Sequence, residues 1–289
     1  MPDQAESLRE RMREVLASPR EDMQPPRLIA VASGKGGVGK SNFALNYCLA
    51  LQATGERIAL VDADFGFANL DILLGVRPTH SLDEVLSGDV ALRDALVPVH
   101  RGLLFASGSS LPLAQGSGQA LARLAAQMLQ LSSVVDRIVV DFGAGSDERS
   151  AELLGLCDEV ILVCTPEPTA IADAYALMKL VAARGSANFA VVINRARTLA
   201  VASAAARRLT RAAARFLKVD VHVLGYLLED EAVARAVMQQ APFVIAEPQA
   251  LASRCIERIA AAQSRSVAPV QPAGIGGVRA LLRRFAQGW

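Results

Sequence analysis

The chain has 289 residues, 52% of them hydrophobic, enough to bury one large α/β core or two smaller ones. Thirty basic side chains against 29 acidic ones leave a formal charge of +1, so no global field favours nucleic acid or a membrane, and any basic surface must be local. Cys48, Cys157, Cys164 and Cys255 are scattered and form no C-x-x-C, which argues against a disulfide framework or a cysteine-bound cluster. With no apolar signal core and no apolar run of about 18 residues, the expected location is cytoplasmic.

In chain order, residues 1–26 come first: a charged helical pattern, "AESLRERMREVL", on a tether that ends in the Pro-Pro break of "QPPR". Short β-branched runs follow at 27–33, 57–64, 102–107, 136–142, 159–165, 189–195 and 221–227, separated by longer helical patterns. Continuous apolar strands alternating with helices predict an α/β, doubly wound, mostly parallel sheet of about seven to eight strands with helices on both faces. This main domain spans 27–265.

The first strand runs into "SGKGGVGKS", which holds the phosphate-loop pattern G-x-x-x-x-G-K-[ST] as Gly34, Gly39, Lys40 and Ser41. Glycines let the backbone N–H groups of this stretch, those of Lys35, Gly36, Gly37, Val38 and Asn42 included, close around phosphate oxygens. The following helix, "SNFALNYCLALQATG", offers its positive end to the same anion. Lys40 is placed to reach the terminal phosphates and the Ser41 hydroxyl to ligate Mg²⁺.

Phosphoryl transfer also requires carboxylates for the metal and the attacking water. The second strand ends in Asp62 and Asp64, whose spacing puts both on one side of an extended strand. Asp141 occupies the same strand-end position in "IVVDFGAG", where open parallel sheets bind ligands. A strand-end acid can also simply cap the next turn. Only four of the 30 basic residues are lysines, and Lys35 and Lys40 lie within one six-residue stretch. In a chain whose default cation is arginine, a lysine kept at position 35 suggests a task for a compact charge on a flexible stem; the alternative is a solvated loop residue.

Between Arg195 and Val219 there are seven basic residues and no acidic one. A helix there could present part of that set to phosphate backbones, but a solvated face is the preferred reading, and nucleic acid is not an expected partner. Residues 266–276 are a Pro/Gly linker. In 277–289, Val278, Leu281, Leu282, Phe285 and Trp289 share one helical face with Arg279, Arg283 and Arg284 off it, the pattern of a basic amphipathic helix that lies in an anionic membrane surface. Docking on the protein's own body is the alternative.

"GKGGVGKS" resembles the deviant phosphate loop of the MinD/ParA group of ATPases, a likeness that extends over roughly 27–265. The resemblance implies a P-loop NTPase fold, ATP or ADP with Mg²⁺ as cofactors, and a homodimer formed around ATP in which Lys35 crosses to the other subunit's nucleotide. It implies catalytic roles for Lys35, Lys40 and Asp64, with Asp64 orienting the attacking water. Ser41, Asp62 and Asp141 would surround the metal, and Asn194 would contact adenine.

Three stretches resemble the flagellar number regulators of the FlhG/FleN subfamily: "DQAESLR", "DADFGFANLDILLG" and "TPEPTAIADAYALMK". That likeness implies an FlhF-type GTPase as partner through Asp3, Gln4, Ala5, Leu8 and Arg9, with basal-body or C-ring components and a flagellar transcription regulator beyond it. It also implies reversible residence at the inner face of the cell membrane. A DNA-binding partition ATPase and a septum-placing ATPase are the competing readings; an iron–sulfur scaffold would need the missing C-x-x-C. One departure stands out: Phe142 replaces the small hydroxylated residue common after the switch aspartate, which suggests slow or partner-dependent hydrolysis.

Overall fold

The structure, a computed structural model, describes residues 25–265 apart from 66, 109–117, 146–147 and 186–187, together with 277 and 278. The amino-terminal segment up to residue 24, expected to meet an FlhF-type GTPase, the expected linker 266–276 and residues 279–289 of the expected membrane helix lie outside the described residues.

One eight-stranded sheet organises the chain, in the order β3-β4-β2-β5-β1-β6-β7-β8. Its strands are β1 (Arg27–Ser33), β2 (Ile58–Ala63), β3 (Val97–Pro98), β4 (Leu104–Ala106), β5 (Arg137–Ala144), β6 (Glu159–Cys164), β7 (Asn188–Ala196) and β8 (Val221–Leu228). Every pairing is parallel except β3 with β4. All seven predicted runs are strands. The additional one, β3, is a two-residue antiparallel edge containing Pro98, too short to carry a period and tolerated only at an edge.

The helices are α1 (Lys40–Gln52), α2 (Leu70–Leu74), α3 (Leu82–Ser87), α4 (Leu92–Ala95), α5 (Gly118–Gln130), α6 (Glu148–Gly155), α7 (Pro168–Ala182), α8 (Leu199–Ala212), α9 (Glu231–Met238), α10 (Phe243–Ala246) and α11 (Leu251–Arg265). Local chemistry sets several of their starts. Ser81 and Glu84 form a capping box at α3, Pro168 opens α7, Thr198 accepts the Val201 N–H at α8, and Asp230 accepts that of Ala232 at α9. Helix α1 is buried nearly all round, from Phe43 to Leu51, and so has no apolar stripe.

The central strands are buried on both faces, as a parallel sheet covered by helices must be. Strand alternation then sorts the side chains. Val61, Ala63, Val140 and Phe142 face an apolar cleft closed by Leu121, Leu124 and Met128 of α5 and Leu153 of α6. Asp62 and Asp141 take the opposite face, toward the phosphate loop. Phe142, singled out in the sequence as a departure after Asp141, packs its ring into this cleft, on the face of the sheet away from Asp141 and the phosphate loop.

A correction concerns Val278, expected on the membrane face. It is 1% exposed and part of the core, and the Gly277 N–H beside it donates to the Leu156 carbonyl at 2.8 Å. The root of the C-terminal segment is therefore seated on the protein body, between α6 and β6.

The end of α6 meets the turn after α7 through Gly155 and Gly185, where a Cβ on Gly185 would lie 2.2 Å from the Gly155 carbonyl oxygen. Because the obstacle is backbone, it cannot swing away. Gly185→Ala is expected to destabilise the fold by about 1–3 kcal/mol, read as a lower urea midpoint with an unchanged slope.

Candidate active site

The loop after β1 is shaped by contacts that admit only glycine. Gly37 and Gly39 have φ of 77° and 88°, the left-handed region. A Cβ on Gly34 would lie 2.3 Å from the backbone of Asp173 in α7. Gly39 is the N-cap of the 13-residue α1 and supplies no side-chain hydrogen bond there, so the first N–H groups of the helix are left to an anion. Asn194, expected at adenine, braces this loop: its Nδ2 donates to the Val38 carbonyl at 2.8 Å, and a Cβ on Gly39 would be 2.3 Å from the same nitrogen.

Strand register brings the acids together. Asp62 of β2 is the direct neighbour of Asp141 in β5, and Asp141 is in turn the neighbour of Val31 in β1. Lys40, itself 6% exposed, places Nζ 2.6 Å from Asp141 Oδ1 and 3.8 Å from Asp64 Oδ2, and donates to Ser41 Oγ at 3.2 Å. Burial raises the pKa of Asp141, against the pull of the Lys40 ammonium and the Ser41 hydroxyl. Burial, then the Asp141 charge, pushes Asp62 to about 6, opposed by N–H donors from Asp64, Leu70 and Asn69. Asp62 thus does act as the cap of its own turn: Oδ1 accepts from Asp64 N, and Oδ2 from Asn69 N and Leu70 N, each at 3.1 Å.

Sequence reasoning missed two glycines that make room for these carboxylates. A Cβ on Gly143 would lie 2.8 Å from Asp64 Oδ1, and one on Gly108 would lie 2.9 Å from Asp62 Cγ. Gly143 could have been found, since it sits two residues after Asp141 on the same face of β5. Gly108 follows β4 with no local pattern to mark it.

Lys35 points elsewhere. Its Nζ lies 3.2 Å from Glu167 Oε2 and 3.3 Å from Thr169 Oγ1, at the head of α7. Both partners of this ion pair are substantially exposed, at 43% and 64%, so it is a weak tether. The loop's two lysines therefore occupy different environments, one buried among the acids and one on the surface.

The donor set suits Mg²⁺. The Ser41 hydroxyl and the Asp62 and Asp141 carboxylates are hard oxygen ligands, and the buried Asp141 Oδ2 has no hydrogen-bond partner among the described residues. A magnesium ion here would supply Lewis-acid neutralisation of phosphate charge.

The ParA family model, described as an NUBPL iron-transfer P-loop NTPase, matches residues 25–263. Among curated proteins, the antiactivator FleN of Pseudomonas aeruginosa is 36% identical over 255 residues, 87% of this chain and 91% of that protein. The flagellum site-determining protein YlxH of Helicobacter pylori is 33% identical over 239 residues, 81% of this chain and 80% of its own. The chain belongs to the MinD/ParA family of P-loop ATPases. Among solved structures, the septum site-determining protein MinD of Pyrococcus horikoshii, complexed with Mg-ADP, superposes with a TM-score of 0.69 at 26% identity, covering 83% of this chain and 96% of that one. Within the family this chain is of the FlhG/FleN type, an ATPase whose cofactors are ATP or ADP and Mg²⁺.

Gly143→Ala in this MinD/ParA ATPase is expected to displace Asp64 while leaving the phosphate loop intact. With Asp64 in the water-orienting role that the resemblance implies, turnover should fall by about 10²-fold, the scale of a misplaced catalytic group, with nucleotide affinity changed less than threefold. Single-turnover hydrolysis beside titration with a fluorescent ATP analogue separates the two.

Proposed function

We propose that this ATPase is a dimerising, membrane-associating switch that sets the number or placement of flagella. The observation that carries the reading is the separation of the loop's lysines. Lys40 is committed to Asp141 and Asp64 inside the chain. Lys35 is held only by an exposed pair on α7 and remains available to a nucleotide in a second subunit. In this reading Asp64 orients the attacking water, and Ser41, Asp62 and Asp141 hold Mg²⁺. Asn194 stands at the adenine side of the loop it braces. The flagellar assignment rests on the likeness to FleN and YlxH.

Residues 1–26 act on an FlhF-type GTPase through Asp3, Gln4, Ala5, Leu8 and Arg9. Basal-body or C-ring components and a flagellar transcription regulator are the further partners. Residues 277–289 bind the inner face of the cell membrane reversibly, through Leu281, Leu282, Phe285 and Trp289. Val278 serves as the point where the segment is rooted on the body. One copy binds weakly and two copies on an ATP-bound dimer bind with avidity, because the second insertion is effectively intramolecular. Among the described residues, no helix is long and apolar enough to cross a membrane.

Lys40→Ala should abolish ATP binding, whereas Lys35→Ala should bind ATP within about threefold of wild type yet fail to dimerise, pellet with anionic liposomes or hydrolyse ATP. Equilibrium binding paired with sedimentation velocity checks this, and equal loss of binding in both variants would return Lys35 to an ordinary phosphate ligand. For the partner, a peptide of residues 1–26 should raise the GTP turnover of the cognate FlhF, and its Gln4→Ala form should not. An inert wild-type peptide would remove the FlhF role.

A further inference from the structure

The foot of α8 carries exposed positive charge that the described protein leaves unneutralised. Arg207, Arg208, Arg211, Arg215 and Lys218 are all exposed, and the first acid after them is Asp220. Arg195, before the start of α8, lies at the other end of the sheet, beside Gly37 of the phosphate loop, and has Glu229 at 4.0 Å. Arg207 bonds only the Ser203 hydroxyl and Lys218 only the Arg215 carbonyl, so among the described residues none of the five has a carboxylate partner.

The backbone adds a second feature. Helix α8 closes in a π-helical turn, Ala213–Leu217, followed by Lys218 in the left-handed region at φ 58°. Buried Ala213 and the partly buried Leu217 and Val219 fix the turn to the core. The wider turn leaves Phe216 65% exposed, with the Arg215 guanidinium 5.2 Å from its ring centroid. One exposed aromatic needs no explanation by itself. An aromatic inside an uncompensated cationic patch, on a turn of a kind concentrated at functional sites, does.

Its place in the fold narrows the occupant. The turn lies where β8 begins, at the end of the sheet opposite the phosphate loop. Leu156, whose carbonyl holds Gly277, lies just before β6 at that same end. Strands β6 and β8 flank β7, so the strands that these two features precede lie two strand spacings, about 10 Å, apart.

The geometry points to a second membrane contact: the turn Arg211–Lys218 binds anionic phospholipid headgroups while Phe216 enters the boundary with the acyl chains, so that the ATPase stands with this end of its sheet toward lipid. The inference rests on the membrane residence proposed above and adds an orientation to it. Cations beside an apolar ring match the headgroup layer, where the ring finds hydrocarbon and the charges find phosphate. A single-stranded nucleic-acid groove would instead offer a series of aromatic faces for stacking, and a duplex backbone has no apolar layer to receive the exposed Phe216 ring.

The test uses the full chain with Mg-ATP and vesicles of phosphatidylglycerol and phosphatidylcholine. The triple variant Arg215→Gln, Phe216→Ser, Lys218→Gln should keep wild-type ATP turnover and thermal stability, because all three side chains are exposed. Its vesicle affinity should fall about 10–30-fold, the scale of two cations lost from an anionic surface, and Arg215→Lys should retain binding. Phe285→Glu, in the C-terminal helix, should leave a residual binding that is salt-sensitive and abolished by adding the triple change. If wild type does not bind vesicles, the membrane reading and this contact fall together. If wild type and the triple variant bind equally, this contact is overturned and the membrane reading stands. Lower affinity of the triple variant for duplex DNA with unchanged vesicle binding would overturn it in favour of nucleic acid.

Discussion

Much of this molecule follows from placing two carboxylates on adjacent parallel strands under one phosphate loop. Asp62 and Asp141 are register neighbours, 1% and 0% exposed, and such a pair cannot be ionised without compensation. Lys40 answers Asp141 from one side, and three backbone N–H groups answer Asp62 from the other. Each answer constrains a further element. To bring Nζ within 2.6 Å of Asp141, Lys40 must open α1 at the turn that Gly39 makes in the left-handed region. To supply Asp62 with N–H donors, the chain after β2 must double back at once into α2. The loop and the turn between β2 and α2 are thus tied to the same buried charge, and a change in what neutralises that charge reaches both.

The fold was legible because a parallel sheet covered on both faces writes its strands as uninterrupted apolar runs, and each of the seven found counterparts in β1, β2 and β4–β8. The phosphate loop was legible because its chemistry needs glycine and lysine at fixed spacing. Face was harder to read than position. Residues 141 and 142 are adjacent in a strand, so they face opposite sides of the sheet: the aspartate meets the loop and the phenylalanine meets Leu121, Leu124 and Leu153. A comparison of residue types at position 142 does not reveal that the side chain lies on the packed face. Contacts between distant segments were not legible at all. Asn194 bracing Val38, Glu167 tethering Lys35 and Val278 seated in the core join residues far apart in sequence, and no local period records them.

Helix α7 connects these distant contacts. At its head it holds Lys35 through Glu167 and Thr169. One turn further in, Gly34 lies so close to Asp173 that the loop and the helix backbone cannot shift independently. Beyond its lower end, Gly185 is packed equally tightly against Gly155, one residue before the carbonyl that anchors Gly277. The contacts at Asp173, inside the helix, and at Gly185, just beyond it, are therefore backbone-to-backbone with no side chain to absorb a displacement, and packed interiors transmit strain of that kind. Release of Lys35 from Glu167 would remove only a weak exposed ion pair, so the interaction opposing it is small. The consequence is an asymmetry suited to a switch: the tether that gives way is polar and solvated, whereas the strut it acts on is rigid along its length, from the phosphate loop to the root of the C-terminal segment.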